Sequence, residues 1–171
     1  MTIAETLAER IAAVRFDALP PDAVHWARVA ILDTVGCTLA GASEPCARIV
    51  ARVSASSGPC LVFGTAQRVA PLDAALINGT ASHALDYDDC SDTLGGHPSA
   101  PILPALFALA ETRAVSGRDF VAAYVRAGRP RHGSRAASTF TITKRAGTRR
   151  RRSACSAPPQ PAAVCWDRRL P

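Results

Sequence analysis

The sequence contains no apolar run approaching the ~18 residues that a membrane-spanning helix needs. Its start, Met1-Thr2-Ile3-Ala4-Glu5, has no basic stretch followed by an apolar one, so no secretory leader is expected there. The six cysteines (Cys37, Cys46, Cys60, Cys90, Cys155, Cys165) form no CxxC pair and keep no repeating spacing. In a chain this long and this apolar, that argues against a disulfide framework and for buried free thiols. No phosphate loop of the form G-x-x-x-x-G-K-[ST], no EF-hand spacing and no internal repeat is present. These absences leave a cytoplasmic protein without a membrane partner as the expectation.

What is present divides into two unlike segments. Of the 171 residues, the first 125 hold 8 basic and 13 acidic side chains, a net charge of −5. Residues 126–171 hold 12 basic side chains and one acid, Asp167, a net of +11. The overall charge of +6 therefore describes only the last quarter of the chain. Basic excess of this kind usually signals nucleic acid or an anionic surface. The tail, however, has only Phe140 and Trp166 as aromatics and no accompanying nucleic-acid-binding pattern, so no nucleic-acid partner is expected.

Residues 1–125 read as one helix after another. Thr2 and Glu5 form a T-x-x-E capping box, and Leu7, Ile11 and Val14 continue at helical spacing to about Arg15. Pro20-Pro21 opens a second helix, with Val24, Ala27, Ile31, Val35 and Leu39 in period and Gly41 placed to cap its C-terminus. A third helix runs from Pro45 to about Ser56 and stops at Ser57-Gly58-Pro59. Cys60 to Gly64 is the one strand-like run. Pro71 to about Ala84 is Ala-rich and helical, and Asp86 to Pro98 reads as a loop. Pro101 to Ala114 is a strongly apolar helix, and Ser116 with Asp119 caps a last helix through Val125. The expected fold class is all-α, with domain 1–125 followed by a basic tail, 126–171. That tail lacks apolar periodicity, carries Arg149-Arg150-Arg151-Arg152 and five prolines, and has the composition of an irregular or disordered segment.

Chemistry concentrates in the stretch from Asn78 to Asp89 and in His97-Pro98-Ser99. Asp86, Asp88 and Asp89 crowd three carboxylates into four positions, which raises their pKa values against one another unless a cation, a metal or a substrate proton relieves them. His83 lies one helical turn before Asp86 if the helix persists, and His97 follows beyond Gly95-Gly96. Carboxylates and imidazoles on one loop suit proton transfer near neutral pH. The same residues also suit blander roles. His83 can be a satisfied helix-face histidine, His97-Pro98 a turn before a helix, and the acids a solvated loop. A D-x-D-D run can also take Mg²⁺ or Ca²⁺.

The pattern N-G-x-x-x-H-x-L-D-x-D-D (Asn78 through Asp89), then His97-Pro98-Ser99, then Ala108-Leu109-Ala110-Glu111 resembles the hallmark of the MmgE/PrpD family. Upstream, Leu32-Asp33-Thr34-Val35-Gly36 and Leu39-Ala40-Gly41 resemble its second-helix signature. Downstream, Ser116-Gly117-Arg118-Asp119-Phe120 through Ala122-Ala123-Tyr124-Val125 also fits, and the motifs run collinearly over roughly residues 5–125. The resemblance implies the N-terminal part of a helical domain and a smaller α/β lid farther along. It implies lyase chemistry on small di- or tricarboxylates, of the 2-methylcitrate dehydratase or cis-aconitate decarboxylase kind, with dehydration taken first. It also implies a homodimer for the intact protein and no metal, iron–sulfur cluster or other cofactor. Carried over by position, Asp88, Asp89 and His97 become the catalytic candidates. Thr93, His83 and Asp86 become the substrate-binding candidates.

After Val125 the family continues differently. One permitted set of codons for Ala137 to Ser153, read from the third base of the first, gives Leu-Asn-Phe-His-His-Tyr-Glu-Thr-Gly-Trp-His-Ala-Thr-Ala-Thr-Leu, which resembles the family's next motif. The tail is therefore expected to be out of frame, and the chain as written to be inactive and poorly stable. Two other readings compete: a small helical module with a basic nucleic-acid-binding tail, and a short scaffold relative of the enzyme.

Overall fold

In a computed structural model the chain is described at residues 2–54, 56–91, 96–128, 142–144 and 164–166. The described residues are mostly helical. They form α1 (Ile3–Ala12), α2 (Pro21–Gly41), α3 (Pro45–Val53), α4 (Pro71–His83), α5 (Leu103–Glu111) and α6 (Gly117–Gly128). A 3-10 turn (Phe16–Ala18) and the short strands β1 (Cys60–Leu61), β2 (Arg68–Val69), β3 (Cys90–Ser91), β4 (Ile142–Lys144) and β5 (Val164–Trp166) complete the described elements. None of the helices among the described residues is long and apolar enough to cross a membrane.

The expected capping box opens α1. Glu5 N–H donates to Thr2 Oγ1 at 3.2 Å, and Thr2 N–H donates to Glu5 Oε2 at 2.7 Å. No α1 residue is buried, and Ile3 is 90 % exposed, so this helix is held by its cap more than by packing.

α2 buries Ala23, Ala27, Ala30, Thr34, Cys37, Thr38 and Gly41, a stripe of small residues along one face. Its two buried hydroxyls are satisfied within the helix: Thr34 Oγ1 donates to Ala30 O at 2.9 Å and Thr38 Oγ1 to Thr34 O at 2.6 Å. Small side chains let α4 come close. A Cβ on Gly41 would lie 2.1 Å from Ala81 O, so this position admits only glycine at the present separation. Gly41 is therefore not the left-handed cap that its place in the sequence indicated. It is the last residue of α2, and Ala42 caps the helix in right-handed conformation.

α4 packs between α2 and α5, and the interior holds two apolar clusters. Ala27, Ala30, Ile102, Leu103, Val121, Tyr124 and Val125 form one, joining α2 to α5 and α6. Cys60, Val62, Val69, Ala74, Ile77 and Ala108 form the other. The latter rests on a hairpin that the sequence showed only in half. β1 pairs antiparallel with β2, Cys60 opposite Val69 and Leu61 opposite Arg68, through a turn where Gly64 has φ +77°. Asn78 of α4 clamps that turn, accepting from Phe63 N–H at 2.9 Å and donating to Leu61 O at 3.0 Å.

The segment read as a loop, Asp86 to Pro98, contains β3, which pairs in parallel with β5, itself antiparallel to β4. Residues 126–128 of the basic tail complete α6, six further tail residues have strand backbone, and the rest of that tail lies outside the described residues. Among the described residues four thiols are free but not uniformly buried: Cys37 and Cys60 are buried, Cys90 is partly so and Cys46 is exposed.

Candidate functional site

α4 ends at His83, one turn earlier than a helix reaching Asp86 would. Asp86 N–H still donates to His83 O at 3.2 Å, but Asp86 adopts φ +56°, a left-handed conformation that a residue with a side chain seldom takes. That turn reverses the chain. It brings Asp88, not Asp86, beneath His83.

His83 Nδ1 lies 2.9 Å from Asp88 Oδ1 and 3.2 Å from Oδ2. His97 returns from the far side of the loop and sits between two acids, with Nε2 3.3 Å from Asp86 Oδ1 and Nδ1 3.3 Å from Asp88 Oδ2. The second approach is at ion-pair distance but off the hydrogen-bonding line, so buried Nδ1 has no hydrogen-bond partner among the described residues. The two rings meet edge to face with centroids 4.4 Å apart. Asp88 is wholly buried, His97 is 24 % exposed, His83 50 % and Asp86 60 %. The cluster is thus graded from the interior outward.

Both imidazoles line an open cavity of about 750 Å³, walled by Ala75, Leu76, Gly79, Thr80, Ala100, Pro101 and neighbours from α3 to α5. No lysine or arginine is among the described residues that line it.

Asp89 takes the opposite direction. It is fully buried and accepts from Ser99 N–H at 3.1 Å and from Ser99 Oγ–H at 2.5 Å, while Ser99 Oγ stands 2.7 Å from Tyr124 Oη. Burial, and then the Asp89 charge, push the Tyr124 phenol above its ordinary range despite the opposing Ser99 hydrogen bond, so it remains protonated. From α2, Asp33 meets this segment. Burial raises its carboxyl first and Asp88 raises it further, while a hydrogen bond from the Asp89 backbone lowers it. Its Oδ2 is buried with no hydrogen-bond partner among the described residues. One turn on, burial followed by Asp33, Asp88 and Asp89 pushes the Cys37 thiol up to about 12.

Of the residues singled out in the sequence, the fold brings His83, Asp86, Asp88 and His97 together. Asp89 belongs to the same segment but to the core side, and Thr93 lies outside the described residues. Asp33, Cys37, Ser99 and Tyr124 were not singled out for the site. Asp33 sat inside a helical motif and Ser99 beside His97-Pro98, but nothing local reveals that α2 and α6 converge there.

The MmgE/PrpD N-terminal domain pattern matches residues 5–128. The chain is 33 % identical over 117 residues to the cis-aconitate decarboxylase-like protein oryM of Aspergillus oryzae, covering 63 % of this chain and 24 % of that one. It is 31 % identical over 105 residues to the cis-aconitate decarboxylase of Aspergillus terreus, covering 60 % of this chain and 21 % of the relative. To the human cis-aconitate decarboxylase it is 31 % identical over 131 residues, covering 72 % and 27 %. The chain spans about a quarter of the length of these relatives. With the family pattern covering most of its length, the chain belongs to the MmgE/PrpD family, of which it carries the N-terminal domain.

Proposed function

We propose that this domain supplies the proton-handling half of a carboxylate lyase active site. The reading rests on one observation: two imidazoles open to a cavity are each backed by a carboxylate, with fully buried Asp88 shared between them. A buried carboxylate beside an imidazole orients the ring, so the pair can give or take a proton at the carbon next to a substrate carboxylate. His97 and His83 are the transfer groups, Asp88 their shared partner and Asp86 the outer partner of His97. Asp89 serves as a positioning residue.

Decarboxylation of a cis-aconitate-like tricarboxylate is favoured, because the relatives carry that name. Carbon dioxide leaves, the bonding electron pair stays on the substrate carbon and spreads into the adjacent alkene and carboxylate, and an imidazolium delivers a proton to the allylic carbanion, becoming neutral imidazole. Dehydration of a 2-methylcitrate-like substrate is the second reading. It uses the same pair to remove the proton and needs a second acid for the departing hydroxyl. Both substrates are polyanions, and the cavity's described lining offers no arginine or lysine for them. Those cations belong to the rest of an intact enzyme, so the 171-residue chain is expected to be inactive. Residues beyond about 126 fit an out-of-frame segment, which the nucleotide sequence around that codon tests.

The experiment is to join residues 1–128 in frame to a complete family C-terminal portion and assay both substrates, following carbon dioxide and alkene absorbance separately. The joined enzyme should release carbon dioxide from cis-aconitate, and His97→Ala should lower kcat by roughly 10²-fold or more. No turnover of either substrate, or full activity with His97→Ala, overturns the reading.

A further inference from the structure

The side chains that pair in this cluster also surround a common point. His83, Asp86, Asp88 and His97 each place one donor atom within 4.8 Å of the other three. Asp88 ties the set together from beneath, with Oδ1 2.9 Å from His83 Nδ1 and Oδ2 3.3 Å from His97 Nδ1, while Asp86 Oδ1 approaches the other nitrogen of His97, Nε2, at 3.3 Å. Ligands held about 2.1 Å from a zinc ion in tetrahedral array lie roughly 3.4 Å from one another. With one donor atom from each residue inside 4.8 Å of the others, side-chain rotations of about an ångström bring the four to that spacing.

The chemistry of the donors points the same way. Two imidazole nitrogens and two carboxylate oxygens form a mixed N/O set, which favours zinc-class ions over magnesium or calcium. The carboxylates supply two negative charges for a divalent ion. The cavity gives a route of entry, and no arginine or lysine among its described lining residues competes for the acids. His97 Nδ1 is buried without a hydrogen-bond partner among the described residues, so one donor is available without breaking a hydrogen bond.

We propose that His83, Asp86, Asp88 and His97 form a binding site for a single divalent transition-metal ion of the zinc class, and that the ion inhibits the enzyme. Ligation through one nitrogen of each histidine keeps both rings from forming the imidazolium that delivers the proton. An ion here is a competitor of proton transfer, not its cofactor. The inhibitory half of the proposal rests on the proton-transfer reading above; the binding half does not.

The binding half is tested on the 171-residue chain itself by calorimetric titration with Zn²⁺ and by visible absorption on adding Co²⁺. One ion per chain should bind, with the d–d bands of a low-coordinate Co²⁺ site. His83→Ala and His97→Ala should each weaken binding by roughly tenfold or more. Cys46→Ser should leave it unchanged, although Cys46 lines the same cavity. Absence of saturable binding overturns the proposal, as does binding that survives the His83→Ala/His97→Ala double variant or is lost in Cys46→Ser. If circular dichroism shows the alanine variants unfolded, Asp86→Asn decides instead: its side chain is 60 % exposed, so the fold should tolerate the change, and unchanged affinity would sink the site. Inhibition is read on the joined full-length enzyme. Zn²⁺ that binds without slowing turnover refutes the inhibitory half, whereas an enzyme with no turnover before any Zn²⁺ refutes the functional reading and leaves the binding result standing.

Discussion

Asp88 and Asp89 are adjacent, both fully buried, and committed to opposite sides of one segment. Asp88 lies behind the imidazoles that line the cavity, and its partners are titratable rings. Asp89 points into the core, where a backbone N–H and a serine hydroxyl hold it and a tyrosine stands behind the serine. Adjacent buried carboxylates repel strongly unless each has its own compensation. Here the chain separates them by direction, Asp88 toward the imidazoles and Asp89 toward Ser99. One compensation is made of groups that can exchange protons. The other is made of groups that only donate hydrogen bonds. Reactivity and rigidity thus sit one residue apart.

The comparison breaks most easily by exchanging the roles. Asp89→Ala should cost roughly 2–4 kcal/mol of folding stability, because it strands Ser99 donors in a dry interior. Asp88→Asn, which keeps an oxygen for His83, should cost about 1 kcal/mol or less in stability while disabling the joined enzyme. Thermal and denaturant unfolding of the two variants should separate them clearly. Equal losses would mean that both acids are structural.

A smaller effect sharpens the same boundary through Asp33. Burial first, and the Asp88 charge second, hold its folded pKa above the ordinary 3.8. The native state therefore binds this proton more tightly than the unfolded chain, and stability contributed by Asp33 falls as pH rises from about 3.8 toward the folded value. Asp33→Asn removes that fall, so the variant should gain on the wild type with increasing pH across this window. Urea unfolding at a series of pH values measures the difference. A constant gap would show that neither burial nor Asp88 raises the Asp33 carboxyl in the folded chain.

The mildest test uses the thiols. Cys37, raised to about 12 by burial and then by Asp33, Asp88 and Asp89, should resist alkylation by iodoacetamide at pH 8, whereas exposed Cys46 should label readily. Peptide mass spectrometry reads both sites in one sample. Equal labelling would mean that the acid-rich interior is open to solvent.

Much of this architecture was legible beforehand. The capping box at Thr2 and Glu5, the prolines at Pro21, Pro45 and Pro71, and the helical spacing of α2 and α4 act over one or two turns, so local chemistry suffices. The acids and histidines stood out by crowding. Their pairing did not. Sequence distance places His83 nearest Asp86, yet the left-handed turn at Asp86 hands His83 to Asp88 and leaves Asp86 to His97. Likewise Gly41 has the position of a helix cap and the role of a close helix contact, a distinction that only α4 could make.

The sequence by itself determined the helices, the acid-and-imidazole content of the segment after α4, and the family to which these motifs belong, because each depends on residues within a few positions or on an ordered series of them. Only the tertiary structure decided which imidazole meets which carboxylate, and that Asp33, Ser99 and Tyr124 converge on that segment from three different elements. The reason is geometric. Those contacts join residues 25 positions apart (Ser99 and Tyr124) and 56 apart (Asp33 and Asp89), and their distances depend on helix packing and one reversed turn rather than on any spacing along the chain.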